Sequence, residues 1–406
     1  MKLTLKHRLS SLVVLTLLLL GSTAAHAQAC LPGQLDPSFA ADSDFGPGLR
    51  VLEERLDVFG TSLLLQPDGR LLASSMRFNS DGTNDSERLF FLSTTRLDDS
   101  GNQDLGFNGN GNRRTSSLDG SNLRVNGNAV SRNHDVLQLP DGKFIAAVIS
   151  ARSTISLALA RLNADGSTDS SFATNGAVHL SRSQLGLPGN FTEIFDMTLV
   201  RQDDGRLLVA VAFMDTRDTT ENGVLLARFS ADGSLDTGFA AADTDGINGV
   251  AILREINGFQ GPVLRLQNGR PVLMGFGGNQ DYLFFRFTPE GALDASFGSS
   301  GRALVTTDNA NRGSVVGHDF VVQADGRLLF TTRPAALGRL TEAGVLDTSF
   351  GGGDGLVLRD QGTATAPQGL KELTTDLRDL DAQRLALQDD GKVVVDEEID
   401  SCEGED

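Results

Sequence analysis

The chain has 406 residues, with no tryptophan, one tyrosine, two cysteines and 46 glycines. This composition excludes a helical bundle and favours an all-β protein with glycine at its turns. The net charge of -18 excludes nucleic acid and anionic membrane surfaces as partners, because an acidic chain repels both.

The first 27 residues have the layout of a secretory signal peptide. A basic start is followed by an apolar run to Leu20 and by small residues up to Ala27. Cleavage there removes three of the 35 basic residues, and 32 basic against 53 acidic residues give a net charge of -21. Residues 28–406 are predicted to form one exported domain, periplasmic, secreted or at the cell surface, since no later stretch is apolar enough to span a bilayer.

Cys30 lies just after the predicted cleavage site and permits a second interpretation. If cleavage fell directly before it, Cys30 would be an acylated first residue and the protein would be lipid-anchored. Ala27 and Gln28 fit that cleavage pattern poorly. The second cysteine of the chain offers Cys30 another role.

One motif ending in phenylalanine occurs six times, at intervals of 68, 65, 67, 58 and 53 residues. Aspartate stands three positions before the phenylalanine, glycine six before, and arginine eleven before in five copies. The phenylalanines are Phe39, Phe107, Phe172, Phe239, Phe297 and Phe350. The aspartates are Asp36, Asp104, Asp169, Asp236, Asp294 and Asp347, and the arginines are Arg96, Arg161, Arg228, Arg286 and Arg339.

Each position of this motif has a structural explanation. The glycine permits a positive φ in a turn, the aspartate accepts bonds from the backbone N–H groups that follow it, and the phenylalanine fills the joint between units. The arginine, as in Arg161 with Asp169 or Arg228 with Asp236, is placed to pair with the aspartate across the turn. A group present in every copy indicates a structural role and not a site.

A second motif alternates with the first, as in "LLLQPDGRLL" and "LALQDDGKVV". Its glycines are Gly69, Gly142, Gly205, Gly269, Gly326 and Gly391. An Asp-Gly or Asn-Gly pair between apolar runs predicts a β-hairpin. Together the motifs predict four antiparallel strands per unit of about 60 residues and a six-bladed β-propeller, with a β-solenoid or a seven-bladed ring as alternatives. One segment, "KELTTDLRDLDAQRL", has a helix-like leucine spacing where a strand is due.

The motifs resemble the delta-60 repeat family, on Gln202 to Arg206 ("QDDGR") and on Arg228 to Phe239. The resemblance extends over nearly all of residues 28–406. It implies a bacterial β-propeller without an assigned activity. The copy "RLDDSGNQDLGF" and the strand "PAALGRL" depart from the family pattern.

The two ends of the chain supply complementary parts of one unit. "CLPGQLDPSF" carries a joint, and "GKVVVDEEIDSCEGED" ends before a fourth strand. We therefore expect both termini to complete the same blade and close the ring. Cys30 and Cys402 lie one in each part and are expected to form a disulfide in an oxidising compartment.

Two His-Asp pairs recur in register before hairpin glycines. His134 and Asp135 belong to the second hairpin unit, and His318 and Asp319 to the fifth. In a ring of six they would face each other across the axis, which makes them a candidate axial site. The alternative is a local His-Asp hydrogen bond where each strand begins. A calcium site would be restricted to the turns of Asp165 and Asp232, and the prediction is that the chain binds no metal and no cofactor.

The composition favours a binding role over catalysis. Tyr282 is the one tyrosine, tryptophan is absent, and no serine lies in a nucleophile elbow. The predicted function is a monomeric protein-binding or scaffold module that contacts another envelope or extracellular protein through variable loops, such as Asn79 to Arg88 and Thr216 to Asn222. The alternative is a hydrolase or lyase that uses an axial pocket near His134 and His318.

Overall fold

The computed structural model describes residues 58–79, 89–109, 112–115, 134–149, 155–187, 192–215, 222–241, 247–254, 256, 260–276, 281–306, 319–332, 336–358, 380–387 and 393–399. The predicted signal peptide, Cys30, Cys402 and His318 lie outside these residues. The predictions that depend on them are therefore not addressed by the fold.

The described residues form antiparallel sheets, five with four strands and one with two. Sheet 1 contains β1 (Val58–Leu65), β2 (Leu71–Asn79), β3 (Leu89–Leu97) and β4 (Asn112–Thr115), and sheet 2 contains β5 (His134–Gln138), β6 (Phe144–Ile149), β7 (Ile155–Leu162) and β8 (Ala177–Ser181). Sheet 3 contains β9 (Thr192–Arg201), β10 (Leu207–Asp215), β11 (Gly223–Phe229) and β12 (Val250–Arg254), and sheet 4 contains β13 (Gln260–Gln267), β14 (Arg270–Phe276), β15 (Tyr282–Arg286) and β16 (Arg302–Val305). Sheet 5 contains β17 (Phe320–Val322), β18 (Leu328–Thr332), β19 (Ala336–Leu340) and β20 (Leu356–Leu358), and sheet 6 contains β21 (Leu380–Leu387) and β22 (Val393–Ile399). A short 3-10 turn, Ser183–Leu185, follows β8.

Each sheet is a meander, and successive sheets meet through their first strands. β1 lies beside β5, β5 beside β9, β9 beside β13, β13 beside β17, and β17 beside β21. Successive antiparallel meanders that meet in this way have the arrangement of β-propeller blades and differ from the parallel coils of a β-solenoid. The helix-like leucine spacing that ends at Leu385 does not produce a helix at Leu380–Leu387. These residues form a strand that pairs with β22.

The alternation of strand direction separates two ends of each sheet. The hairpin turn between the first and second strands and the joint after the third strand lie at one end, which we call the turn face. The first strands begin and the second strands end at the opposite end, the loop face. All described copies of both sequence motifs therefore lie at the turn face.

Within each sheet, the motif aspartate joins the third strand to the hairpin turn. Arg161 Nε lies 2.7 Å from Asp169 Oδ2, which is the pairing that the sequence predicted. Lys143, directly after the hairpin glycine, reaches the same oxygen at 2.8 Å. Asp169 Oδ1 accepts from the backbone N–H and the hydroxyl of Ser171.

The same arrangement occurs in five sheets. The arginine–aspartate pairs are Arg96–Asp104, Arg161–Asp169, Arg228–Asp236, Arg286–Asp294 and Arg339–Asp347, at 2.7 to 2.9 Å. The hairpin cations on these aspartates are Arg70, Lys143, Arg206, Arg270 and Arg327. The pKa of Asp347 is lowered to about 2, chiefly by the hydrogen bond from the Ser349 hydroxyl. The Ser349 N–H and Arg339 lower it further, while burial opposes the shift. This carboxylate therefore stays charged well into the acidic range.

Between sheets, the phenylalanine of one joint packs on the turn glycine of the next. Phe172 is fully buried, and Arg161 lies over its ring at 4.9 Å from the centroid. A Cβ added to Gly233 would stand 2.7 Å from that ring. The adjacent Ala173 N–H donates to the Asp232 carbonyl at 2.7 Å. The equivalent ring–glycine contacts are Phe107 with Gly166, Phe239 with Gly291, and Phe297 with Gly344.

The core is divided among the boundaries between successive sheets, which we call seams. Seam 1–2 contains Leu72, Leu92 and Phe144, and seam 2–3 contains Ile145, Leu199 and Val209. Seams 3–4 and 4–5 are also apolar. The unusual strand "PAALGRL" forms β19, in which Gly338 leaves room for the Phe330 ring on the adjacent strand.

Gly233→Ala tests the contribution of the ring–glycine contact. Gly233 and Gly352 both have φ of 93°, but a Cβ at Gly352 would meet no atom within 4 Å. We expect Gly352→Ala to cost about 1–2 kcal/mol from backbone strain alone. Gly233→Ala adds a collision with Phe172, so its midpoint of urea unfolding should lie well below that of Gly352→Ala. Equal midpoints would show that the ring contact adds no stability.

Candidate functional site

The residues of the predicted axial site lie at the loop-face end of the first strands. His134 and Asp135 open β5, and Asp319 directly precedes β17. His318 lies outside the described residues. The two aspartates occupy equivalent positions, seven residues before the hairpin glycines Gly142 and Gly326.

His134 is buried between sheets 1 and 2. Its side chain is 9% exposed, and its Nε2 lies 2.9 Å from the Ser74 Oγ of β2. Within the part of the chain that the structure describes, the buried Nδ1 has no hydrogen-bond partner. Burial lowers the pKa of His134 to about 4, and a hydrogen bond with the Ser74 backbone opposes the shift. The imidazole is therefore neutral at pH 7 and can accept a proton from a hydroxyl group.

Ser74, Thr94 and His134 form a group that we call the polar trio. Ser74 and Thr94 are directly opposite each other in the pairing of β2 with β3, and both are buried. Thr94 Oγ1 has no hydrogen-bond partner in the described ranges. In seam 2–3 the equivalent positions are occupied by Ala147, Leu159 and Met197, which pack in one apolar cluster. Seam 1–2 thus has polar groups at positions where seam 2–3 has apolar side chains.

Asp135 connects sheet 2 to sheet 3. Its Oδ2 accepts from the Leu199 N–H of β9 at 2.9 Å, and its Oδ1 accepts from the Val136 N–H at 2.8 Å. Successive strand residues point to opposite faces, so Asp135 is directed to sheet 3 while His134 is directed to sheet 1. In place of the local His134–Asp135 hydrogen bond considered from the sequence, the two side chains bond to different neighbouring sheets.

Asp319 makes the equivalent connection from sheet 5 to sheet 6. Its Oδ2 accepts from the Leu385 N–H at 3.1 Å, and its Oδ1 accepts from Arg265 Nη2 at 2.8 Å and from the Phe320 N–H at 2.9 Å. Both aspartates therefore accept a hydrogen bond from a backbone N–H on the unpaired edge of the first strand of the following sheet. A shared axial centre of His134, Asp135, His318 and Asp319 stays a prediction.

Sequence reasoning missed Ser74 and Thr94. The signal was present in "LLASSMRF" and "LSTTRL", where hydroxyl residues stand at positions that are apolar in "FIAAVI" and "LALARL" of sheet 2. Strand alternation assigns one residue of each such pair to the core, so a core hydroxyl could have been recognised.

Within the described ranges, no three His, Cys, Asp or Glu side chains are grouped as metal ligands. In the turn considered for calcium, Asp165 Oδ1 accepts from the backbone N–H and hydroxyl of Ser167. The part of the chain that the structure describes includes no helix with the length and apolarity of a transmembrane span.

Residues 139–172 and 202–239 match a family described as a domain of unknown function (DUF5122), β-propeller. This match supports a β-propeller repeat family, but it does not support the more specific assignment to the delta-60 repeat family. They contain both repeat motifs, including the Arg161–Phe172 and Arg228–Phe239 joints. No curated protein matches the chain.

Several solved structures have a similar fold. The chain is 12% identical to an α-L-arabinanase of Penicillium chrysogenum solved with arabinobiose, with a TM-score of 0.40 over 71% of this chain and 80% of that one. A GH93 α-L-arabinofuranosidase of Fusarium graminearum with arabinobiose gives 12% identity and a TM-score of 0.42 over the same shares. A glucose dehydrogenase gives 12% and 0.42 over 84% of this chain and 95% of that one.

These comparisons correct the predicted function. The named structures are enzymes, and the arabinanase and arabinofuranosidase agree with the hydrolase alternative better than with a protein-binding or scaffold module. The scaffold prediction is therefore wrong. At 12% identity and TM-scores below 0.5, neither substrate nor catalytic residues are transferred to this chain.

Asp135→Ala tests the connection between sheets 2 and 3. The change leaves the Leu199 N–H without its acceptor, and we expect a loss of about 1–3 kcal/mol in the free energy of unfolding. Asp135→Asn keeps an acceptor oxygen and should retain most of the stability. Asp204→Ala, at an exposed turn, serves as the control. A cost for Asp135→Ala no larger than that of the control would exclude a stabilising connection.

Proposed function

We propose that this chain is an enzyme of the hydrolase or lyase class, with its active centre at the loop face around His134. The observation that carries the proposal is the 2.9 Å contact between Ser74 Oγ and His134 Nε2. A hydroxyl in hydrogen-bond reach of a neutral imidazole is the arrangement from which a base can remove a proton.

The environment of His134 defines its role. At neutral pH the imidazole lacks a proton on one nitrogen, since burial lowers its pKa to about 4. With Nε2 as acceptor for Ser74, the ring proton lies on Nδ1, which has no hydrogen-bond partner among the described residues. His134 then acts as general base, and Ser74 as nucleophile or as the group that orients the ring.

The activity test uses the processed chain, residues 28–406, with three probes. Para-nitrophenyl acetate, para-nitrophenyl α-L-arabinofuranoside and polygalacturonate test ester hydrolysis, glycoside hydrolysis and lyase chemistry. On the probe that is cleaved, we expect His134→Gln and Ser74→Ala each to lower kcat/KM by about 100-fold or more, the contribution of a general base. His179→Gln, on the outer strand β8, is the control and should keep wild-type activity.

Circular dichroism and the melting temperature of each variant separate lost catalysis from lost folding. A wild-type chain that cleaves none of the probes would contradict the proposal for these three reactions. Full activity in His134→Gln would contradict the assigned base.

We also propose that the sheets close into a six-bladed ring in an exported protein. The support is Leu63 of β1, which is 40% exposed. Five equivalent residues on the other first strands are at most 7% exposed, each against the preceding sheet: Val136, Leu199, Leu264, Phe320 and Leu385. In a closed ring, sheet 6 would cover Leu63, with the N-terminal part of residues 28–406 completing that sheet. The Cys30–Cys402 disulfide would then join the two ends, giving an intact mass lower by two hydrogens than that of the reduced chain.

Leu63→Ala distinguishes a closed ring from an open one. If sheet 6 covers Leu63, the change should lower the free energy of unfolding by about 2–3 kcal/mol, as for a core leucine. Leu304→Ala on β16, where the side chain is 59% exposed, is the matched control and should cost under about 1 kcal/mol. Equal small effects at both positions would rule out closure over Leu63.

A further inference from the structure

We propose that seam 1–2 is an acid-sensitive joint, which opens when His134 takes up a proton while seam 2–3 stays closed. The proposal concerns the region of the proposed active centre, but it rests on packing and not on catalysis. Opening of this seam would expose the polar trio to solvent.

The structural basis is the difference between two equivalent seams. Seam 2–3 is closed by Ala147, Leu159 and Met197, which cannot ionise. Seam 1–2 has Ser74, Thr94 and His134 at the same positions, and no described residue forms a hydrogen bond with His134 Nδ1 or Thr94 Oγ1. Unpaired buried polar atoms weaken a seam, and a charge on one of them weakens it further.

No described carboxylate faces His134 to compensate such a charge. β5 packs against β1, β2, β6 and β9, and the described side chains of β1, β2 and β6 include no ionisable group. Among its described side chains, β9 has one ionisable group, that of Arg201, which lies at the turn face. β3, which supplies Thr94, carries Arg96, whose guanidinium is bound to Asp104. Asp135 lies on the opposite side of β5 and is directed to sheet 3.

The direction of the pH dependence follows from proton binding. The pKa of His134 is about 4 in the folded chain, against about 6.5 for an exposed histidine. Between these values the open or unfolded state binds the proton more strongly, so the closed seam is most stable above pH 6.5 and loses stability as the pH falls towards 4. A pKa difference of this size changes the equilibrium between the closed and the open seam by about 300-fold over the full range from above pH 6.5 to below pH 4.

Hydrogen exchange of the processed chain measures this opening directly. Spectra at pH 7.5 and pH 5.0, corrected for intrinsic exchange with an unfolded reference, should show a loss of protection in residues 62–75 and 134–149. Residues 207–213, in the second strand of sheet 3, should change much less. The combined variant Ser74→Ala, Thr94→Leu and His134→Met copies seam 2–3 and should abolish the acid-dependent loss.

Two further variants keep the test decisive. His134→Gln retains a hydrogen-bonding side chain without a titrating group and should also remove the pH dependence, should the combined variant fail to fold. His179→Gln should keep it. Unchanged protection in the wild type at pH 5.0, or the same loss in His134→Gln, would overturn the proposal. The measurement needs no substrate, so inactivity towards the three probes leaves its result intact.

Discussion

The carboxylate at each turn-face joint is the group on which the repeat architecture depends. In sheet 2, Asp169 holds Arg161 from the third strand, Lys143 from the hairpin turn and the N–H of Ser171 from the turn that follows. One side chain thus fixes three segments of the same sheet. Its arginine extends the connection, because Arg161 Nη1 donates to the Ala231 carbonyl of the next sheet at 3.2 Å. An isolated exposed ion pair adds little stability, but here each pair is part of a network repeated from sheet to sheet.

The position of these networks leaves the two faces of the protein with different constraints. The turn face carries the paired charges and the ring–glycine contacts, so its sequence recurs in each copy. The loop face has no such repeated requirement among the described residues, and there the copies differ. Asp135 and Asp319 are present in two units and bind the backbone of the next first strand, whereas the equivalent residue of sheet 3 is Thr198. Differences between units therefore concentrate at the end where a site would form, as in other scaffolds with variable loops on a rigid frame.

The sequence predicted the parts of the fold that repetition reveals. Four antiparallel strands per unit, the hairpin turns and the Arg–Asp pairs follow from spacing, because glycine, aspartate and phenylalanine each perform one local task. The second cation on each aspartate was missed, although a Lys or Arg follows the hairpin glycine in every described copy, since its partner lies about 20 to 34 residues later in the chain. The axial site was argued from symmetry alone, and symmetry does not show that Asp135 is turned towards sheet 3. The scaffold prediction was wrong because it inferred an absence of catalysis from the absence of aromatic residues.

The polar trio departs from the apolar packing of the adjacent seam 2–3. Ala147, Leu159 and Met197 show that the same backbone positions are well filled by apolar side chains. Seam 1–2 instead buries two hydroxyls and an imidazole, with one hydrogen bond between them and two atoms that have no partner among the residues that the structure describes. Unpaired polar atoms of this kind reduce stability by about 1–3 kcal/mol each, which an apolar replacement would avoid. Polar groups at positions that are apolar in the adjacent seam are best explained by a role outside stability, and the imidazole is the member of the trio that can take up a proton in the acidic range, because burial lowers its pKa to about 4. Proton transfer is the chemistry common to a catalytic base and to an acid-sensitive seam, so His134 is the residue from which both proposals proceed.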